Sequence, residues 1–224
     1  MLPSDISIVI PTLNEAQTLS ASLQSAREND PREIIVCDGG STDATVEIAH
    51  RCGASHVVSS IPGRGIQLNA ASTFATGDVI LFLHADSLIG PETLHQICDL
   101  DAEFVWGAAR QKIESSSTVY RVLEFGNNLR VRWCKMAFGD QAIFVKRDAF
   151  KRVGGFAEQP LMEDVELSRS LRKLDRPRLI EGPVVTSARR WQRRGVIRQT
   201  LLNWKIQLAY KLGMDPETLK GWYG

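Results

Sequence analysis

Five large apolar residues in a row, VILFL at 79–83, lie between Asp78 and the polar-ended triplet His84-Ala85-Asp86. The run is too short for a globular helix and does not alternate, so it predicts a strand buried on both faces, which implies a parallel sheet. The same pattern opens the chain. Residues 6–10 are a β-rich run closed by Pro11, 33–37 (EIIVC) repeat it, and 56–59 form a weaker third strand. A helical stretch follows each. The first runs to about residue 28, with Asn14 and Gln17 spaced as a capping pair. The second runs through Cys52 and is capped from Ser41, Thr42 or Asp43. The third starts at Gly63-Arg64-Gly65 and carries Gln67, Leu68 and Asn69. This alternation predicts an α/β fold with a doubly wound, mostly parallel central sheet flanked by helices, its βα loops all on one edge.

Beyond residue 90 the pattern becomes mixed. It predicts a short helix from Pro91 to about 100, a strand over 104–113, a helix over 119–133 and a strand over 142–145. A helix over 147–153 is stopped by Gly154-Gly155, and an extended run over 179–186 follows the turn at Arg176-Pro177. The helix predicted over 162–173 has Glu163, Asp164 and Glu166 first and Arg169, Arg172 and Lys173 last, which matches the helix macrodipole. In the tail, 196–212, Ile197, Leu201, Trp204, Leu208 and Leu212 share one helical face, with Arg198, Lys205 and Lys211 elsewhere. No repeat or linker interrupts the 224 residues, so a single domain is expected.

With 43% hydrophobic and 24% charged residues, the composition is that of a soluble globular protein. Cys37, Cys52, Cys98 and Cys134 are scattered, without a C-x-x-C pair, so neither a zinc knuckle nor a disulfide framework is expected. No basic leader or apolar span stands out, which predicts a cytoplasmic protein without a transmembrane segment. A net charge of +1 gives no general pull toward nucleic acid, yet 189–211 carries seven Arg and Lys and no Asp or Glu. An anionic partner is expected at that end.

In an open α/β sheet ligands bind beyond the carboxyl ends of the strands, where His84 and Asp86 stand two residues apart and suit a cation or a diphosphate. Pro11 to Glu15 and Asp38-Gly39-Gly40 follow neighbouring strands, and Asp38 can accept a nucleobase N–H while the glycines admit close approach. Arg64, between two glycines at a helix start, suits a phosphate. Asp86 is the best metal candidate, with His84 as a second ligand or a hydrogen-bonding group. Glu163 and Asp164, about 100° apart on a helix, cannot address one atom, so one can act as a base while the other holds backbone or cation. Arg189-Arg190-Trp191 with Arg193 and Arg194 suits a diphosphate clamp with an indole platform. Each has a plain alternative: a solvated strand end, turn chemistry, a loop arginine, acids at a helix N-terminus, a basic turn.

In order along the chain, SIVIPTLNEAQTL, EIIVCDGGSTDAT, GRGIQLNAA, GDVILFLHADS, GDQAIFVKRDAFKRVGGF and LMEDVELSRSLRK resemble the family 2 glycosyltransferases of the GT-A fold, from Ser7 to about Trp191. The HAD triplet, the LMEDVELS helix and the SARRWQRRG turn look most like a group of short bacterial members without membrane spans, the radical-SAM/selenodomain-associated transferases. The resemblance implies metal-dependent, inverting transfer of a sugar from a nucleotide diphosphate sugar to an acceptor hydroxyl. It implies a nucleotide-sugar-binding half over 1–100, an acceptor-binding half over 101–195 and a helical tail over 196–224.

By motif position, Pro11, Thr12, Glu15 and Asp38 would contact the nucleoside, Asp86 would bind Mg²⁺ or Mn²⁺, and Asp164 would be the general base. Arg64, Asn69, His84, Ala85 and Glu163 complete the expected substrate-binding set. Arg190 and Trp191 match the end of the Q-x-x-R-W motif, with Ser187 in the place of the Gln. His84 replaces the first acid of D-x-D, and Gly39 the second acid of D-D-G-S. Two other functions stay open: a nucleotidyltransferase making a nucleotide sugar, and a nucleotide-sugar-binding protein without catalysis. The basic tail suits an anionic membrane carrying a lipid-linked acceptor, or the sheet or a homodimer partner. Packing against protein is the expected use.

Overall fold

The computed structural model of the chain describes residues 1–223, with every side chain except that of Arg190. Its first half alternates strand and helix: β1 (Ile6–Thr12), α1 (Leu19–Arg27), β2 (Glu33–Asp38), α2 (Thr45–Arg51), β3 (His56–Ser59), α3 (Arg64–Ser72) and β4 (Val79–Phe82). Then come β5 (Ser87–Ile89), α4 (Thr93–Cys98), β6 (Trp106–Ile113), α5 (Thr118–Cys134), β7 (Phe144–Lys146) and α6 (Arg147–Arg152). The chain closes with α7 (Glu163–Leu171), β8 (Arg178–Thr186), α8 (Arg189–Arg194), α9 (Val196–Lys211) and α10 (Pro216–Tyr223).

All eight strands form one sheet in the order β3-β2-β1-β4-β7-β6-β8-β5. The first four are parallel, β7 joins β4 and β6 antiparallel, β6 and β8 are parallel, and β5 closes the edge antiparallel to β8. In β1, Ile6, Ile8 and Ile10 face a core filled by α1, α2 and α4, while Val9 faces a second core with Leu68 of α3 and Leu167 of α7. Burial on both faces is why the central strands read as unbroken apolar runs rather than as alternating ones. A third, smaller cluster joins Ile113, Tyr120 and Ala188 with Leu123, Trp191 and Val196, and seats α8 and the start of α9 against α5.

The structure departs from the predicted elements in four places. Asn14 does not cap a helix: its φ is 55° and its side-chain Oδ1 accepts the Thr42 N–H at 2.9 Å, tying two loops together, so α1 starts only at Leu19. β5 falls in a stretch with no strand pattern, because its three residues need only pair with β8. The basic turn at 189–194 is a helix, and the helical tail expected over 196–224 divides into two helices, α9 and α10. The fourth departure is the tail. Its apolar stripe does not pack on protein: Ile197, Leu201, Trp204, Leu208 and Leu212 are between 56% and 79% exposed, and the buried residues of α9 are Gln199 and Ile206. Among the described residues the four cysteines are free, and no helix is long and apolar enough to cross a membrane.

Candidate active site

The carboxyl ends of β1 and β2 are fastened to each other first. Thr12 and Asp38 are register partners, and the Thr12 hydroxyl donates to Asp38 Oδ1 at 3.2 Å. Asp38 Oδ2 accepts the N–H groups of Gly40 and Ser41 at 2.9 and 2.8 Å, and Oδ1 also takes the Ser41 hydroxyl at 2.5 Å. Burial raises the Asp38 carboxyl, but these bonds outweigh it and hold the group below its usual range. A carboxylate offers about four lone-pair sites, and protein fills them all here, so Asp38 builds the loop. Gln67 of α3 adds a brace: its Nε2 donates to the carbonyls of Thr12 and Cys37, both at 2.8 Å. Gly39 lies directly beneath that amide, since a Cβ there would stand 3.1 Å from Gln67. Pro11, Thr12 and Asp38 therefore form an inner wall, with Thr12 and Asp38 buried, and none of these three expected nucleoside contacts lines the cleft itself.

In front of that wall lies an open cleft of about 820 Å³, lined by Glu15, Arg64, His84, Asp86, Asp164 and Trp191 together with residues of α9 and Tyr223. Glu15 enters from the β1 loop. Burial raises its carboxyl, a hydrogen bond from the Thr18 hydroxyl at 2.9 Å opposes this, and the nearby Asp86 charge adds to the rise. His84 and Asp86 come from the tight connection after β4, where Ser87 N–H returns to the His84 carbonyl at 3.0 Å. Ala85 between them is buried and turns into the core beside α1 rather than into the cleft.

The opposite wall is the start of α7. Asp164 Oδ2 accepts the Gly139 N–H at 2.7 Å, and Oδ1 takes the N–H of Val165 at 2.8 Å. A Cβ on Gly139 would lie 2.8 Å from His84 Nε2 and 3.3 Å from Asp164 Oδ2, so glycine is what lets these two groups approach one backbone from either side. Glu163, 1% exposed, forms an ion pair with Arg64 Nε, and Asp164 Oδ2 lies 4.0 Å from Arg64 Nη2. The neighbouring acids thus share one guanidinium through different nitrogens. Burial disfavours the Arg64 charge, but Glu163 and Asp164 together raise its pKa. The Glu163 carboxyl is raised by burial, with Arg64 opposing and Asp164 reinforcing. Arg64 was expected to suit a phosphate; in the fold its guanidinium already faces two acids.

One expected substrate contact serves the scaffold instead. Asn69 clamps the turn after α6, donating to the Phe156 carbonyl and accepting the Phe156 N–H, both at 2.9 Å. Trp191 does line the cleft, but its ring stands edge-on to Tyr120 at 6.3 Å, and its indole N–H is buried without a hydrogen-bond partner among the described residues. The Arg190 side chain lies outside the described residues.

Asp140, which sequence reasoning missed, adds a further acid. Its Oδ2 accepts the Gln111 amide at 2.7 Å, while the buried Oδ1 has no partner among the described residues. Burial raises this carboxyl, Arg130 pulls it down, and Asp164 raises it further. The only signal was an acid beside a glycine in GDQAIF, and nothing local to that stretch says that it meets α7. No group of three or more His, Cys, Asp or Glu among the described residues forms a ready metal cage. His84 and Asp86 line the cleft two residues apart, without a third such group beside them among the described residues.

The family model described as "Glycosyl transferase family 2" matches residues 7–201. The chain belongs to that family. A PGL/p-HBAD biosynthesis glycosyltransferase of Mycobacterium bovis is 31% identical over 169 residues, which is 67% of this chain and 62% of that protein. Glycosyltransferase AglJ of Haloferax volcanii is 41% identical over 63 residues, 28% of this chain and 21% of the relative. The chain thus spans less than two thirds of the length of these curated relatives. Among solved structures, S. aureus TarS 1-349 matches with a TM-score of 0.68 at 21% identity, over 82% of this chain and 60% of that one. Glucosyl-3-phosphoglycerate synthase from Mycobacterium tuberculosis, solved with Mn²⁺, UDP and glucosyl-3-phosphoglycerate, matches at 0.60 and 22%, over 81% and 70%. The family 2 fold is GT-A, and the sheet described above is that fold.

Proposed function

We propose that this family 2 member transfers a sugar from a nucleoside diphosphate sugar to an acceptor hydroxyl, with inversion at the anomeric carbon. The observation that carries the reading is the meeting of Asp86 and Asp164 across one cleft. Two backbone N–H groups, one on each oxygen, orient Asp164, which lines the cleft with acceptor capacity remaining. In the proposed step this carboxylate takes the proton of the acceptor hydroxyl. The acceptor oxygen then bonds to the anomeric carbon, and the bond from that carbon to the diphosphate oxygen breaks with its electron pair. Arg64 pairs with Glu163 through Nε and stands 4.0 Å from Asp164 Oδ2 through Nη2, a positioning role.

Asp86 and His84 are the residues that would hold Mg²⁺ or Mn²⁺, and the open, carboxylate-bearing donor set fits such an ion. When bound, the ion supplies neutralising charge for the departing diphosphate. Arg193 and Arg194 line the same cleft and extend the cationic side. The Mn²⁺ and UDP complex of the mycobacterial synthase supports a uridine donor and a divalent ion, and the UDP-GlcNAc complex of TarS supports the donor class.

The test is a panel of nucleoside diphosphate sugars with Mg²⁺ and Mn²⁺, read by thermal shift and by release of nucleoside diphosphate. Release that requires a divalent ion and disappears in Asp164→Asn is the expected result. Pyrophosphate release from a nucleoside triphosphate would replace this reading with nucleotidyl transfer.

A further inference from the structure

Two helices carry apolar stripes that face solvent. On α9 the stripe is the one described above, and the side opposite it holds Gln199 and Ile206, which are buried. On α5 the buried positions are Tyr120, Glu124, Asn128 and Val131, while Val122, Phe125, Leu129 and Trp133 are between 38% and 79% exposed. At 100° per residue these four lie on the side of α5 opposite its buried face. The start of α9 meets α5 through α8, because Tyr120 and Leu123 of α5 share one cluster with Trp191 of α8 and Val196, the first residue of α9. Exposed side chains of this size, on these two helices, exceed the scattered apolar residues that any surface carries.

The charge around the stripes says what would cover them. The span 189–211 holds seven Arg and Lys and no acid, and Arg198, Lys205 and Lys211 flank the α9 stripe. Between 115 and 139 the single acid is Glu124, which is buried, bonded to the Ile113 N–H at 2.5 Å and paired with Arg121. A second copy placed face to face would set basic flank against basic flank. An anionic headgroup layer meets both the charge and the stripe, and exposed Trp133 and Trp204 are residues that favour the headgroup level. We propose that the outer faces of α5 and α9 are a membrane-docking surface that lays the protein on an anionic bilayer.

This docking would set the cleft at a defined height. Asn203, Ile206 and Gln207 of α9 line the cleft, and the stripe is on the far side of the same helix, so the cleft begins about one helix diameter, roughly 10 Å, from the lipid. Tyr210 fixes that helix to α7, donating its hydroxyl to Glu166 at 2.6 Å. The surface stands on exposure and charge alone. That the acceptor hydroxyl is therefore borne by a lipid rests on the proposed sugar transfer.

The experiment is flotation of the full chain with vesicles of phosphatidylcholine, with and without phosphatidylglycerol, at low and raised salt. Binding to the anionic vesicles, weakened by salt, is expected. Trp204→Glu with Leu208→Glu, and separately Phe125→Glu with Trp133→Glu, should each lower the bound fraction about tenfold or more, since each pair removes two large apolar anchors. All four sites are exposed, and unchanged thermal melting would show that the fold survives. Absence of flotation, equal binding to neutral vesicles or indifference to both variants would overturn the proposal. So would a dimer in solution that the same substitutions dissolve. None of these readouts uses donor turnover, so a failure here leaves the transfer reading standing, and a failure of the donor panel leaves the docking surface standing.

Discussion

The two walls of the cleft are built on opposite terms. On the β1–β2 side every polar group is answered within the protein: Asp38 accepts from Thr12, Gly40 and Ser41, and Gln67 ties the carbonyls of Thr12 and Cys37. On the β4–α7 side the accounts are open. Asp140 Oδ1 and the Trp191 indole, both of cleft-lining residues, are buried without partners among the described residues, and Asp86 stands in the cleft. A buried polar atom without a partner costs free energy, on the order of 1–3 kcal/mol. The first wall is thus a finished scaffold, while the second carries buried polar atoms that the described residues leave unanswered.

Substitutions should separate the walls. The largest effect is expected at Asp164: Asp164→Asn should lower turnover by about 10²–10⁴-fold, the range of a lost general base, with nucleotide binding kept. Retained turnover would remove Asp164 from that role. Next, Asp86→Ala should abolish the part of nucleotide affinity that depends on Mn²⁺, measured by calorimetry with and without the ion. On the finished wall the consequence is stability instead. Asp38→Ala should destabilise the fold by about 1–3 kcal/mol in a denaturant titration, because four donors lose their acceptor.

The same carboxylate sets a pH limit. Its folded pKa lies below the usual 3.8, so its contribution is complete above that value and is lost as pH falls through the lower, folded value. Asp38→Asn should flatten that acid limb. The smallest effect is expected at Trp191→Phe. Packing on Tyr120 remains while the unanswered N–H is gone, so stability should hold or rise slightly, and only donor or acceptor affinity should weaken.

The contrast also explains what could be read from the chain. The first half was legible because doubly buried parallel strands force consecutive apolar residues, and their ends then fall on one edge, where Thr12 and Asp38 are register partners, although of Thr12, Asp38 and Asp86 only Asp86 lines the cleft. The second half is held by pairings between distant segments. β5 is only three residues long and is defined by β8, and Asp140 reaches Asp164 through a short turn that leaves no local signature. Asn69 and Arg64 were recognisable as polar residues on a helix near the cleft, but nothing in GRGIQLNAA tells that Phe156 and Glu163, some ninety residues on, occupy them. The tail's stripe was plain from its spacing. Its exposure was not, since an amphipathic pattern says only that something apolar lies opposite.

One further consequence follows from the glycine under the Gln67 amide. Residue 39 and residue 67 occupy a single volume, so the missing acid of the D-D-G-S pattern is less a loss than a trade: the amide stands where a second carboxylate would. Gly39→Asp by itself should therefore evict Gln67 and unpick the ends of β1 and β2. Paired with Gln67→Ala it should be accommodated, and the two exchanges would prove interdependent rather than additive.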